Sequence, residues 1–99
     1  MTETEFVAAQ RSAVLMEAAR ATVKRNHWTD KPGARWHLNE LNYPRFNGIH
    51  NTVTIYANNG GTAYEVHTYT YAGDTNGAPI ARKTLAAAFK LGEALADKG

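Results

Sequence analysis

From Asn51 to Tyr71 the chain reads NTVTIYANNGGTAYEVHTYTY, two runs of β-branched and aromatic residues flanking an Asn-Asn-Gly-Gly segment. Alternation with a period of two is a strand signal, and Asn and Gly tolerate the positive backbone angles of a tight reversal, so an antiparallel hairpin is expected. With 58–61 as the loop, Ala57 falls opposite Thr62, Ile55 opposite Tyr64 and Val53 opposite Val66. The same count sets Thr54 against Glu65, Thr52 against His67 and His50 against Tyr69 on the other face. One face is then apolar and must be covered, because a slip of one residue would exchange the two faces. The other carries His50, Tyr56, Glu65, His67, Tyr69 and Tyr71.

Helices are expected on either side of this hairpin. Residues 4–25 contain no Pro or Gly, and Thr2 with Glu5 has the spacing of a capping box. Projected at about 100° per residue, Val7, Val14, Ala18 and Ala21 form an apolar stripe with Leu15 at its flank, opposite Gln10, Glu17, Arg20 and Lys24. Arg11 falls inside that stripe. The NHWTDKPGA segment, 26–34, ends the helix, RWHLNEL from Arg35 alternates as a strand although 38–41 also suits a short helical turn, and NYPRFNG, 42–48, has loop composition. A strand over 49–57 begins the hairpin. After GDTNG, 73–77, Pro79 suits the first position of a closing helix reaching Asp97, with Ile80, Thr84, Leu85, Ala88, Leu91 and Leu95 on one stripe. The expected architecture is α+β, in the order α-β-β-β-α. Both helices cover one face of a three-stranded antiparallel sheet, and 1–99 make a single compact domain.

Composition restricts the chemistry further. The 99 residues are 43% hydrophobic and 20% charged, with formal net charge +2 and no cysteine. Disulfides and thiolate metal sites are therefore excluded, and a reducing compartment is permitted. The start, MTETE, lacks a basic n-region, and no stretch has the roughly 18 to 20 apolar residues needed to cross a bilayer. A soluble cytoplasmic protein with no membrane partner is the expectation. The low net charge does not favour a phosphate backbone as partner.

Between Ile49 and Pro79 the only charged residues are Glu65 and Asp74. A water-facing sheet surface ordinarily carries Lys, Glu and Arg, which keep it soluble and discourage edge pairing. Its Tyr and His are the residue types of a docking surface, since aromatics offer large contact area at low ordering cost. His50, His67, Glu65 and Tyr69 invite an acid–base or metal reading. Yet an open sheet neither excludes water nor fixes a substrate, and the chain has no His-x-x-x-His or nucleophile elbow. No cofactor, metal or catalytic residue is expected. GDTNGAP precedes a helix but lacks the Gly-Lys-Ser/Thr ending of a nucleotide loop, and Asp74 would repel phosphate.

The alternative reading involves nucleic acid. The element order and ARKTLAAAFKLGEAL from Ala81 resemble the double-stranded RNA-binding domain, whose closing helix is basic and alanine-rich. The resemblance implies phosphate contacts from Arg82 and Lys83, with Lys90 further along, although the family's next lysine is Ala86 here and NGAPI replaces its Gly-x-Gly-x-Ser/Thr. Lys24, Arg25, Lys31, Arg35 and Arg45, with Trp28 and Trp36 among them, add a basic and aromatic region diluted by Asp30 and Glu40. The favoured expectation is a non-enzymatic interaction protein using the Tyr/His/Thr face for self-association or for a protein partner. Such a compact chain would suit a phage or mobile-element accessory that inhibits a host factor.

Overall fold

The computed structural model describes residues 2–26, 36–58 and 60–98. Its elements are α1 (Glu3–Asn26), β1 (His37–Leu38), β2 (Pro44–Asn47), β3 (Asn51–Ala57), β4 (Tyr64–Thr70), β5 (Ile80–Arg82) and α2 (Leu85–Asp97). The strands form one antiparallel meander in the order β1-β2-β3-β4-β5. The α+β class and the antiparallel sheet are as expected, but the sheet has five strands instead of three.

Both extra strands come from segments whose composition misleads. The Asn-rich stretch before Pro44 is a reversal in which Asn39 Oδ1 accepts from the amides of Leu41 and Tyr43, both at 2.9 Å, while Asn42 has φ of 65°. Pro44 then opens β2, a position where a proline's missing N–H costs little. At the other end, a helix starting at Pro79 would need Ala78 as its cap, and alanine has no side-chain acceptor. Thr84 has one and takes the amide of Ala87 at 3.2 Å, so α2 begins after it and Ile80–Arg82 pair with β4.

The hairpin register is shifted by two residues from expectation: Ala57 faces Tyr64, Ile55 faces Val66 and Val53 faces Thr68. Asn58 sets the wider loop. Its amide donates to the Ala63 carbonyl at 2.9 Å, and its Oδ1 accepts from Thr62 N at 2.9 Å and Ala63 N at 3.3 Å. A shift of two keeps every side chain on its original face, so the sorting of the strands survives although the partners change.

Val53, Ile55 and Val66 are 0%, 0% and 1% exposed, and with Phe46, Tyr64 and Trp36 they form the core beneath the helices. Trp36 packs tilted against Phe89 at 4.6 Å and Phe46 at 5.3 Å, and its Nε1 donates to Glu93 at 3.1 Å. On α2 the buried residues are Ala88, Gly92 and Ala96. A Cβ on Gly92 would stand 2.8 Å from the Trp36 ring, so only glycine lets the helix lie this close. The β2–β3 turn holds the far end of α2: Ile49 N donates to Asp97 at 3.0 Å, His50 N to the Ala96 carbonyl at 3.0 Å, and Asn51 Nδ2 to the carbonyls of Leu95 and Lys98 at 3.2 and 3.1 Å.

The capping box of α1 forms as expected, with Glu5 N donating to Thr2 Oγ1 and Thr2 N to Glu5 Oε2, both at 3.2 Å. Its core-facing stripe differs from the projection. Met16, Ala19 and Val23 are buried, with Leu15 packed beside them, whereas Val14 is 68% exposed and Ala18 and Ala21 face away. The larger Leu, Met and Val side chains meet the sheet. Ser12 lies on the inner side with them, where its hydroxyl donates to the Asn58 carbonyl at 3.1 Å. Gly61, with φ of 67°, lets the β3–β4 loop pack directly on the α1 backbone at Ala8 and Ser12.

Candidate functional site

Both helices contact the core face, so the opposite face of the sheet is built by alternate residues of its strands. Arg45 pairs with Thr54, Thr54 with His67, Thr52 with Tyr69 and Tyr56 with Glu65. All of these share the outer face, and His37, paired with Arg45, joins them. Four rings run across it. Tyr43 and Tyr56 lie 4.7 Å apart, Tyr56 meets His67 edge-on at 4.7 Å, and His67 stacks with Tyr69 at 6.5 Å. These offset and edge-on contacts are the favoured arrangements of aromatic quadrupoles, so the rings hold one another in place.

Between the rings and Arg45 lies a shallow recess of about 240 Å³. Thr52 and Thr54 line it and are only 3% and 5% exposed, although neither α1 nor α2 covers them. Arg45, Tyr56, Tyr69 and Tyr71 surround that floor, and Glu40 stands at the rim. Among the described residues the only buried side-chain polar atom with no hydrogen-bond partner is Arg45 Nε. A buried unmet donor of this kind is costly to leave and available to an acceptor. The Tyr56 hydroxyl is pushed up to about 12, chiefly by burial, then by the charge and hydrogen bond of Tyr69 and by Tyr43 and Glu40. It therefore stays protonated, a donor, well above neutrality.

His67 Nε2 lies 3.1 Å from Glu65 Oε1, with the two side chains 24% and 31% exposed. A carboxylate can orient an imidazole, but acid–base chemistry also needs a held substrate and a dry site, and this pair sits on an open surface. Among the described residues no group of three His, Asp or Glu could hold a metal ion, and no helix is long and apolar enough to cross a membrane.

Of the residues singled out in the sequence, Tyr56, Glu65, His67 and Tyr69 are brought together. Tyr71 lies just beyond β4, 60% exposed, with its hydroxyl bonded to the Gly48 carbonyl, and lines the recess. His50 does not join them: it precedes β3, is exposed, and borders a different hollow with Asn76, Leu95 and Lys98. Its expected place opposite Tyr69 belongs to Thr52, because the wider hairpin loop moved the register. Tyr43 is absent from the sequence reading and Arg45 enters it only within the basic region, because 42–48 has loop composition; the Arg-Phe-Asn alternation after Pro44 is the available signal for both.

Arg82, Lys83 and Lys90 are all exposed. Arg82 ends β5, Lys83 lies in the linker and Lys90 in α2, so the first two do not open the helix as the RNA-binding resemblance implies. Lys31, Arg35, Trp28 and Asp30 lie outside the described residues. The chain matches no family model, no curated protein and no solved structure.

Proposed function

We infer that this chain is a non-enzymatic interaction module that docks a protein surface, a second copy of itself included, on the outer face of its sheet. The supporting observation is the contiguous Tyr43–Tyr56–His67–Tyr69 ring path, which neither α1 nor α2 covers among the described residues. Tyrosine and histidine give such a face apolar area with polar edges, and the half-buried Arg45 beside them adds a guanidinium. Glu65 and His67, already paired, add a small polar rim.

Affinity capture from the native cell extract at low and high salt tests the reading. Binding of a protein that withstands salt and is lost in Tyr69→Glu supports it. Retention of nucleic acid instead, with affinity falling steeply as salt rises and weakened by Lys83→Glu, would replace it with the alternative based on Arg82, Lys83 and Lys90.

A further inference from the structure

The outer side of α1 carries an apolar stripe that the fold does not use. Val7 is 40% exposed, Val14 68% and Phe6 52%, and Ala18 and Ala21 continue the same line away from the sheet. The solvent side of a surface helix is ordinarily charged or polar. Read along its length, the stripe is Glu3, Val7, Gln10, Val14, Ala18, Ala21, Arg25, taking in Gln10, which the projection sets among the polar residues, in steps of four and three that let two helices pack along a seam.

This order is self-complementary when reversed about Val14. A second copy turned end for end brings Val14 against Val14, Val7 against Ala21, Gln10 against Ala18 and Glu3 against Arg25, with Lys24 beside that ion pair. Parallel pairing would instead oppose Glu3 to Glu3 and Arg25 to Arg25 and align the two helix dipoles. The small Ala18 and Ala21 allow close approach of the axes, of about 8–10 Å.

An independent feature fits the same register. A concavity of about 450 Å³ lies beside the last turns of α1, lined by Glu17, Arg20, Ala21 and Lys24 of the helix and by Leu38, Leu41 and Asn42, so that apolar and charged side chains share its wall. Phe6 projects from the same flank of the stripe as Glu17 and Lys24. A two-fold rotation brings like flanks together, so Phe6 of one copy arrives level with Thr22 of the other, at this concavity. Leu41, itself 67% exposed, would form its far wall.

We propose that two copies of this chain associate through α1, antiparallel about a two-fold axis at Val14, each seating Phe6 in the concavity between α1 and Leu41 of the other. The outer sheet faces stay free in such a dimer, so this goes beyond the docking role: it would present that face twice, and binding to a partner with repeated sites would gain from the pairing.

Light scattering of the full chain up to about 1 mM measures the association directly. The wild type is expected to dimerise, and Val14→Glu, which opposes two carboxylates on the axis, to weaken the dimer by more than about tenfold. Phe6→Ala should weaken it less, and Tyr69→Glu should leave it unchanged. Val14 is exposed, so its variant should keep the wild-type circular dichroism and melting. The absence of cysteine makes cross-linking a test of direction. Val7→Cys and Ala21→Cys should join each other when mixed and oxidised, and neither should join itself. A wild type that stays monomeric, a dimer dissociated by Tyr69→Glu but not by Val14→Glu, or self-linking of Val7→Cys would each overturn the proposal. Partner capture dependent on Tyr69 is read separately, so failure of the dimer and failure of the docking role are distinguishable.

Discussion

Strand β3 is buried on both sides, by different means. Val53 and Ile55 are sealed by helices, whereas Thr52 and Thr54, pointing the other way, are almost as inaccessible beneath side chains of their own sheet. The covered side gains stability from apolar area removed from water. The outer side shields a hydroxyl floor with the half-buried side chains of Arg45, Tyr56 and Tyr69. Low accessibility thus marks a folding core on one face and a preorganised surface on the other. Substitutions should separate the two.

The largest effect is expected beneath the helices. Ile55→Ala leaves a cavity in the covered face and should cost about 3 kcal/mol of unfolding free energy in chemical denaturation. Gly92→Leu, which drives a side chain into Trp36 and Val53, should cost about 2 kcal/mol and perturb the Trp36 fluorescence. On the outer face the same assay should register much less. Arg45→Met removes the buried unmet donor while keeping the stem, and should change stability by under about 1 kcal/mol while weakening partner capture. If Arg45→Met destabilised the fold as much as Ile55→Ala, the two faces would not differ in kind.

Tyr56 gives the smallest and most selective effect. Its hydroxyl ordinarily titrates at 10.0 and is pushed up to about 12 in the fold, so the folded chain holds that proton more tightly than the unfolded chain does. The corresponding stability is complete below pH 10 and is lost as pH rises from about 10 to about 12. Tyr64, raised by its burial, contributes in the same direction. Tyr56→Phe should change stability by under about 0.5 kcal/mol at pH 8 and shallow the decline above pH 10, as followed by denaturation alongside tyrosinate absorbance.

The face sorting of β3 and β4 was legible because a period of two is insensitive to loop length as long as the shift is even. The partners were not, because the hydrogen bonds of Asn58 decide how wide the loop is, and composition does not report them. The same limit hid β2 and β5: Asn39, Pro44 and Thr84 act through position, as turn acceptor, strand opener and helix cap. For α1 the projection found a real stripe on the side away from the sheet. A helix with two apolar sides gives periodicity no means of choosing between them, whereas the presence of Met16, Leu15 and Val23 on one side favoured packing there. Of the outer face, Tyr56, His67 and Tyr69 are legible in the strands, while Tyr43 and Arg45 need the extra strand before they have a place.

The ties from Ile49, His50 and Asn51 to the last turn of α2 bind residues nearly half the sequence apart. The helix therefore draws on the β2–β3 turn for partners to its terminal carbonyls and to Asp97, and loosening either one exposes the other. Slow solvent exchange at the Ile49 and His50 amides would then gauge how long α2 stays wound, making one short turn a reporter on whether the two layers open as a single unit.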